Sequence, residues 1–313
     1  MTCHNCKTSC GRYGRDRYGH QRYRCRQCHK TFQDARDRPL EGMYLPLPKA
    51  ESILKLLVEG CSIRSIERLT DVNRDTILRL LVVAGEKCDR LLSDRIRGLE
   101  VSDVQADEIW GYVWCKEKNR PTDSPFIGDS YCFVGIERNT KLILAWHLGR
   151  RTAQHTMEFT EKLRVATSGR FQITTDGWPS YKDCVPYSLG KRVDFATLVK
   201  VYRSDREGEA RYAPPEVSAT VITPIHGRPD QARVCTSHVE RQNLSIRMGM
   251  RRMTRLTNAF SKKWENLKAA YALWFAYYDF CRVHQTLRVT PAMEAGIADH
   301  VWEIGELLGA ASL

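Results

Sequence analysis

Four cysteines constrain this chain more tightly than any other feature. Cys3, Cys6, Cys25 and Cys28 form two CxxC pairs, separated by eighteen intervening residues. Each pair can offer two thiolates from one tight turn, and two such turns complete a tetrahedral Zn²⁺ site. A segment this short buries little apolar surface, so a metal has to supply most of its folding free energy. The spacing predicts a zinc ribbon over residues 1–38 with one structural Zn²⁺. Cys10 is a possible substitute ligand, and His4, His20 and His29 are weaker ones. Four unrelated buried thiols are the alternative. Between the pairs lies RYGRDRYGHQRYR, where arginine alternates with tyrosine. That mix suits a β-ribbon meeting phosphates with Arg and stacking Tyr on bases or sugars. A solvated hairpin face has the same composition.

Charge points the same way. The 313-residue chain carries 49 Lys+Arg against 37 Asp+Glu, a net +12. A surplus of this size favours a polyanion partner, most simply nucleic acid, over a merely basic enzyme. Hydrophobic residues make up 42%, enough for a core and too many for a disordered chain. No apolar run approaches the roughly 20 residues that span a bilayer, and MTCHNCKTSC is no signal peptide. The expected location is cytoplasmic and nucleoid-associated, with no membrane partner. In that compartment twelve cysteines are expected as metal ligands or small core residues rather than disulfides.

Pro39, Pro46 and Pro48 break the chain after the first unit. Ile53, Leu54, Leu57 and Val58 mark one helix face, ended by Gly60 and Cys61. Ser62 can cap a second helix and Asn73 a third, with Ile77, Leu80, Leu81 and Ala84 inside. Three short helices with a tight turn before the last describe a helix-turn-helix domain over residues 46–92. Its third helix would turn Arg74, Asp75, Thr76 and Arg79 toward a major groove. A plain helical spacer has the same periodicity. Residues 87–98 read as a charged helical connector.

Residues 100–290 change pattern. VQADEIWGYVW, YCFVGIE and KLILAWHLG read as strands, and TAQHTMEFTEKLRVAT reads as a helix capped by Thr152. FQITTDGWPSY is a strand that stops at Asp176-Gly177. Residues 188–236, with VDFATLVKVY and EVSATVITPI, read as an insertion. From Ser237 a helical region runs toward Cys281, interrupted near 254–261, and 291–313 is a C-terminal tail. The whole is α/β with a central mixed sheet. Trp110, Trp114, Trp178 and Trp264 are expected to pack in the core or between domains. Tyr271, Trp274, Phe275 and Tyr278 are core at helical spacing.

Asp107 and Asp176 sit where strands should stay apolar, and Glu240 lies near a helix start. Carboxylates on two neighbouring strands and a packed helix can hold two Mg²⁺ (or Mn²⁺) for phosphoryl transfer. By spacing alone Asp103, Glu108, Asp129 and Asp183 compete with them. Strand alternation turns Glu108 away from the side that Asp107 faces. Glu240, Asn243 and Arg247 follow i, i+3, i+7 and share a helix face. Asn243 and Arg247 would contact DNA phosphate or orient the site. His238 is a possible supporting group, and His284 is structural. Residues 241–264 hold seven Lys/Arg and no Asp or Glu, which makes Arg251 and Arg252 candidate phosphate contacts.

The words around these acids add a resemblance. ADEIWGYV, TTDGWPSY and HVERQNLSIRMGMRRMTRLTNAFSKKWEN, in that order, resemble the catalytic blocks of the DDE transposases of bacterial insertion sequences, of the insertion-sequence-one type. YRCRQCHKTF, CSIRSIERLTDVNRDTI and FAYYDFCRVHQTLRVTPAMEAGI are similar to the other parts of that family, so the resemblance covers nearly the whole chain. It implies an RNase H-like catalytic domain and Mg²⁺-dependent cleavage and joining of double-stranded DNA at terminal inverted repeats. It places Asp107, Asp176 and Glu240 as the metal ligands. Pairing two transposon ends with target DNA implies a homodimer or higher assembly on DNA. Two alternatives stay open: a non-catalytic sequence-specific DNA-binding protein, a regulator or decayed element, and a nuclease of the same fold without strand transfer.

Overall fold

The computed structural model describes residues 1–3, 5–16, 19–33, 39–40, 42–121, 124–202, 217–255 and 257–309. His4, two residues of the arginine–tyrosine run, the middle of the 188–236 insertion and the last four residues of the tail lie outside them. The chain divides into two compact units, Met1–Gly42 and Met43–Leu313.

The first unit is a three-stranded antiparallel sheet of β1 (Cys10–Arg15), β2 (Gln21–Cys25) and β3 (Thr31–Gln33), in that order. Its core is largely sulfur. Cys3, Cys10 and Cys25 are buried, with Cys6, Tyr23, Cys28 and Phe32 packed around them. Arg22 and Arg24 lie over the Tyr13 ring, 5.7 and 5.1 Å from its centre. The described arginines and tyrosines therefore engage one another as well as solvent.

The second unit opens with α1 (Leu47–Val58), α2 (Ile63–Thr70) and α3 (Arg74–Arg95). Ser62 caps α2, its hydroxyl accepting from Ser65 N at 3.1 Å, and Asn73 caps α3, its side chain accepting from Asp75 N at 2.8 Å. Left-handed Asp71 (φ 55°) turns the chain between them. There follow β4 (Leu99–Glu100), β5 (Asp103–Val113), β6 (Gly128–Glu137), β7 (Ile143–Gly149), α4 (Ala153–Ala166), β8 (Thr167–Ser168), β9 (Phe171–Thr175), α5 (Tyr181–Leu189), β10 (Val193–Tyr202), β11 (Val217–His226), α6 (Ser237–Gly249), α7 (Trp264–Ala276), α8 (Pro291–Glu294) and α9 (Glu306–Gly309).

A six-stranded mixed sheet of order β11-β10-β9-β5-β6-β7 forms the centre. β5, β6 and β7 are an antiparallel meander, β9 and β10 run parallel to β5, and β11 returns antiparallel. Phe133 of β6 meets Phe159 of α4 and Tyr181 of α5, so these helices cover one face. On the other face Trp146 of β7 meets Tyr271 and Phe275 of α7. Burial on both faces explains why β7 reads as a continuous apolar run.

Four features depart from the expectation. First, α3 is one 22-residue helix that absorbs the expected connector, because Cys88, Leu91 and Leu92 continue its buried stripe. It packs on α7 so closely that a Cβ at Gly85 would lie 2.5 Å from Ala269. The helical segment thus belongs to the same compact unit as the sheet. Second, α5 follows β9 directly; Pro186 inside it hid its periodicity. Third, the tail is anchored: Leu307 and Leu308 are fully buried, and buried Lys87 donates to the Leu308 carbonyl at 2.8 Å. Fourth, Trp114 is 52% exposed rather than packed. Among the described residues no helix is long and apolar enough to cross a membrane.

Candidate active site

Parallel pairing of β5 with β9 runs from Asp103↔Gln172 to Ala106↔Thr175. One step further in that register brings Asp107 beside Asp176. The pleat then sets what each side chain meets. Gln105 and Asp107 face α6 at the strand period of two, and α6 answers at its own period of four. Gln105 Oε1 accepts from His238 N and Val239 N at 2.9 and 3.3 Å. Asn243 Nδ2 donates to Asp107 Oδ2 at 2.9 Å. One turn on, Arg247 donates to the Trp110 carbonyl at 3.2 Å.

Asp107, Glu108 and Asp176 converge, with ligand oxygens all within 4.8 Å of one another. Glu108 was expected as a bystander facing the other way. It does point to the α4–α5 face, where Tyr181 lies, but its carboxylate still reaches the cluster. Arg151, between β7 and α4, binds Glu108 Oε2 and Asp176 Oδ2, both at 3.1 Å. The guanidinium lies 4.5 Å from the Trp178 ring centre, and Trp178 N donates to Asp176 Oδ1 at 3.0 Å. Glu240 stands outside this triangle. Its carboxylate pairs with Lys200 of β10 and accepts from the Thr236 hydroxyl at 2.7 Å.

The electrostatics are those of crowded acids. Burial pushes Asp107 up to about 7, helped by the charges of Asp176 and Glu240, so Glu240 lies within electrostatic reach. Burial and Asp176 push Glu108 up to about 8. Asp176 is also raised, mainly by burial. Such a site favours a cation. The donors are all oxygen, which suits Mg²⁺. Asn243 Oδ1 is buried without a hydrogen-bond partner among the described residues, leaving an acceptor free for one.

Asn243 therefore sits in the site, hydrogen-bonded to Asp107. Arg247 is tied to the site's backbone, its two terminal nitrogens donating to the Met253 and Trp110 carbonyls. Arg252 donates to Ser261 Oγ and the Asn266 carbonyl. Arg74, Arg79 and Arg251 are exposed. Arg64, Arg74, Arg251, Arg252 and Lys262 line a groove of about 1130 Å³ between α1–α3 and residues 250–262, where Asp75 is the one acid among the described residues. Arg151 and Lys200 escaped the sequence reading, and Trp178, expected only to pack, stands at the site. Arg151 alone left a trace, as a cation at the strand end just before the Thr152 cap.

In the first unit Cys3, Cys6, Cys25 and Cys28 bring their sulfurs within 4.8 Å of one another, and Cys10 stays outside the set. Each CxxC is followed by a left-handed residue, Lys7 and His29, whose N–H returns to the carbonyl of the first cysteine. Cys25 is pulled down to about 5 by the Cys28 backbone N–H and the Thr8 hydroxyl, whereas Cys28 and burial push Cys6 up to about 12. The four soft donors fit Zn²⁺.

No protein-family model and no curated protein matches the chain. Among solved structures it is similar to the Mos1 strand transfer complex, with 14% identity over 52% of this chain and a TM-score of 0.22. For the Mos1 transposase paired-end complex the identity is also 14% and the TM-score 0.23. The chain spans 60–62% of those Mos1 chains. The piggyBac transposase synaptic complex aligns over 89% of this chain and 73% of its own, at 12% identity and a TM-score of 0.37.

Proposed function

We propose that this chain is a DDE-type DNA transposase that binds transposon ends, cleaves DNA strands and joins the 3′-hydroxyl to target DNA. The convergence of Asp107 and Asp176 on adjacent parallel strands, with Glu240 in electrostatic reach from α6, carries the reading. The antiparallel meander followed by two parallel strands supports an RNase H-like core. The basic groove beside α2 and α3 supports DNA contact by a helix-turn-helix, and the four cysteines support a zinc ribbon.

In this reading Asp107, Asp176 and Glu240 hold the metal. Mg²⁺ bound there supplies neutralisation of phosphate charge and acidification of a water or 3′-hydroxyl. Asn243 fixes the Asp107 carboxylate, and the Trp178 N–H fixes that of Asp176. Arg151 ties Glu108 to Asp176 and offsets part of the cluster's charge. Glu108 thus serves as the anchor of Arg151. The basic groove would hold the duplex by its phosphates, and a second copy would hold the other end.

The test is cleavage and joining of a labelled duplex carrying the element's end, in Mg²⁺. The wild type should give both products, and Asp176→Asn neither, while still retarding the duplex on a gel. Near-normal cleavage by Asp176→Asn would refute the assignment. Binding without any cleavage by the wild type would leave the DNA-binding regulator as the reading.

A further inference from the structure

A third group of ligating side chains lies in the second unit, with no residue in common with the acidic cluster. His147 on β7 and His155 and Glu158 on α4 bring their ligand atoms within 4.8 Å of one another. We propose that these three residues bind a zinc-type transition-metal dication that staples β7 to α4. Neither the resemblance nor the proposed transposase chemistry uses these residues.

The geometry of the triangle is the main argument. His147 Nε2 lies 2.9 Å from His155 Nδ1 and 3.4 Å from Glu158 Oε2, and His155 Nδ1 lies 3.9 Å from that same oxygen. Donors around tetrahedral zinc, at bonds of about 2.0–2.1 Å, sit about 3.3 Å apart. The three edges straddle that value. Two imidazoles and one carboxylate are a borderline donor set, suited to Zn²⁺, Co²⁺ or Ni²⁺ and poorly suited to Mg²⁺. The site is thereby chemically separable from the acidic cluster.

The backbone makes room for the pair of rings. A Cβ at Gly149 would lie 2.4 Å from the His155 ring and 2.9 Å from His147 Nε2, so a side chain there would displace the imidazoles. Glu158 is oriented in turn, since Gln154 Nε2 donates to its other oxygen at 3.2 Å. His147 is buried, and that burial, with Lys162, His155 and Lys268 nearby, holds its pKa down to about 3. The ring is therefore neutral, which is the ligating form. Both lysines have other partners, Lys162 the Trp146 carbonyl and Lys268 the Asp89 carboxylate. Glu158 is half exposed, which leaves an open side for water as a fourth ligand. The bound cation would fix the β7–α4 junction, and with it the strand end from which Arg151 reaches the acidic cluster.

The experiment is zinc content of the full-length protein after dialysis against trace zinc, with a chelator competition titration for affinity. The wild type should hold about two equivalents, one on thiolates and one here. Cys25→Ser/Cys28→Ser should keep one, and His155→Ala should keep one. Glu158→Ala, at a half-exposed position with no core role, should weaken the second site at least tenfold and decides the matter should His155→Ala fail to fold. Co²⁺ loaded into the cysteine variant should give visible bands without the near-ultraviolet thiolate band. Two equivalents retained in both His155→Ala and Glu158→Ala, or one only in the wild type, would overturn the proposal. So would loss of the second equivalent in Asp107→Asn, which would move that zinc to the acidic cluster. Failure of the transposase reading alone would leave all these outcomes unchanged.

Discussion

The four cysteines and the acidic cluster both gather metal-binding groups, and they do it in opposite ways. The cysteines come from two copies of one local turn, each closed by a left-handed residue after the second cysteine. Little but sulfur fills the core around them. The acids come from β5, the end of β9 and α6, and Asn243 reaches Asp107 across 136 positions of sequence. There Arg151 and Lys200 pair with the acids as countercharges. The first region gathers its donors through local turns, and the second gathers them through strand register and helix docking.

That contrast breaks if metal removal affects both regions alike. Structural zinc contributes an apparent 10–16 kcal/mol to such small units. Cys25→Ser/Cys28→Ser, or strong chelation, should therefore unfold residues 1–42 completely and leave residues 43–313 folded. Hydrogen exchange would show full loss of amide protection in β1–β3 with none in β5–β7. Unaltered protection of β2 in the variant would contradict a metal-made core.

The next effect tests the other half. Asp107→Asn should lower cleavage by roughly 10²–10³, the usual cost of one electrostatic group at a reacting centre. Yet the metal-free variant should melt no lower than the wild type. Burial beside Asp176 and Glu240 makes the charge of Asp107 costly, and asparagine keeps its shape. Glu108→Gln should lose only about tenfold in rate, because Glu108 acts through Arg151. A large drop in melting temperature for Asp107→Asn would show that the acids hold the sheet together.

The same contrast governs what could be read from sequence. Features set by neighbours along the chain were legible: the CxxC spacing, the Ser62 and Asn73 caps, and the strands from apolar runs. Asp107 drew notice as an acid inside an otherwise buried strand, and Asp176 as an acid where a strand stops. Glu108, Arg151 and Lys200 were not, since their roles arise where strand register and helix docking bring distant segments together. Strand alternation placed Glu108 on the opposite face, which is correct, and missed that a long carboxylate in mid-strand, beside the end of β9, still reaches its neighbours. The end of α3 was misplaced for a related reason. Charges at Glu86, Lys87, Asp89 and Arg90 masked the buried stripe of Cys88, Leu91 and Leu92.

Gly85 carries that long-range packing to a single atom. In an isolated helix Gly85→Ala gains about 0.5–1 kcal/mol. Here the new methyl meets Ala269 at 2.5 Å, backbone included, so the helices must part. Overpacking costs about 1–3 kcal/mol. Net destabilisation by Gly85→Ala in urea melts is expected, with Ala269→Gly restoring part of it in the double variant. A more stable Gly85→Ala would mean α3 does not lie this close to α7.

The smallest effect is the most local one. Asn73 is exposed and its side chain does one thing, accepting from Asp75 N at the start of α3. Replacing such a cap by alanine costs about 1 kcal/mol. Asn73→Ala should lower stability by that amount, and Asn73→Asp should restore it, since a carboxylate at a helix N-terminus also meets the helix dipole favourably. Because α3 is 22 residues long and buried along α7, the loss should stay in its first turn. Amide exchange should quicken at Asp75 and Thr76 and stay unchanged from Leu80 onward. Exchange that quickens along all of α3 would mean that the cap, and not the packing on α7, holds the helix, and that the local reading of this segment reaches further than the structure implies.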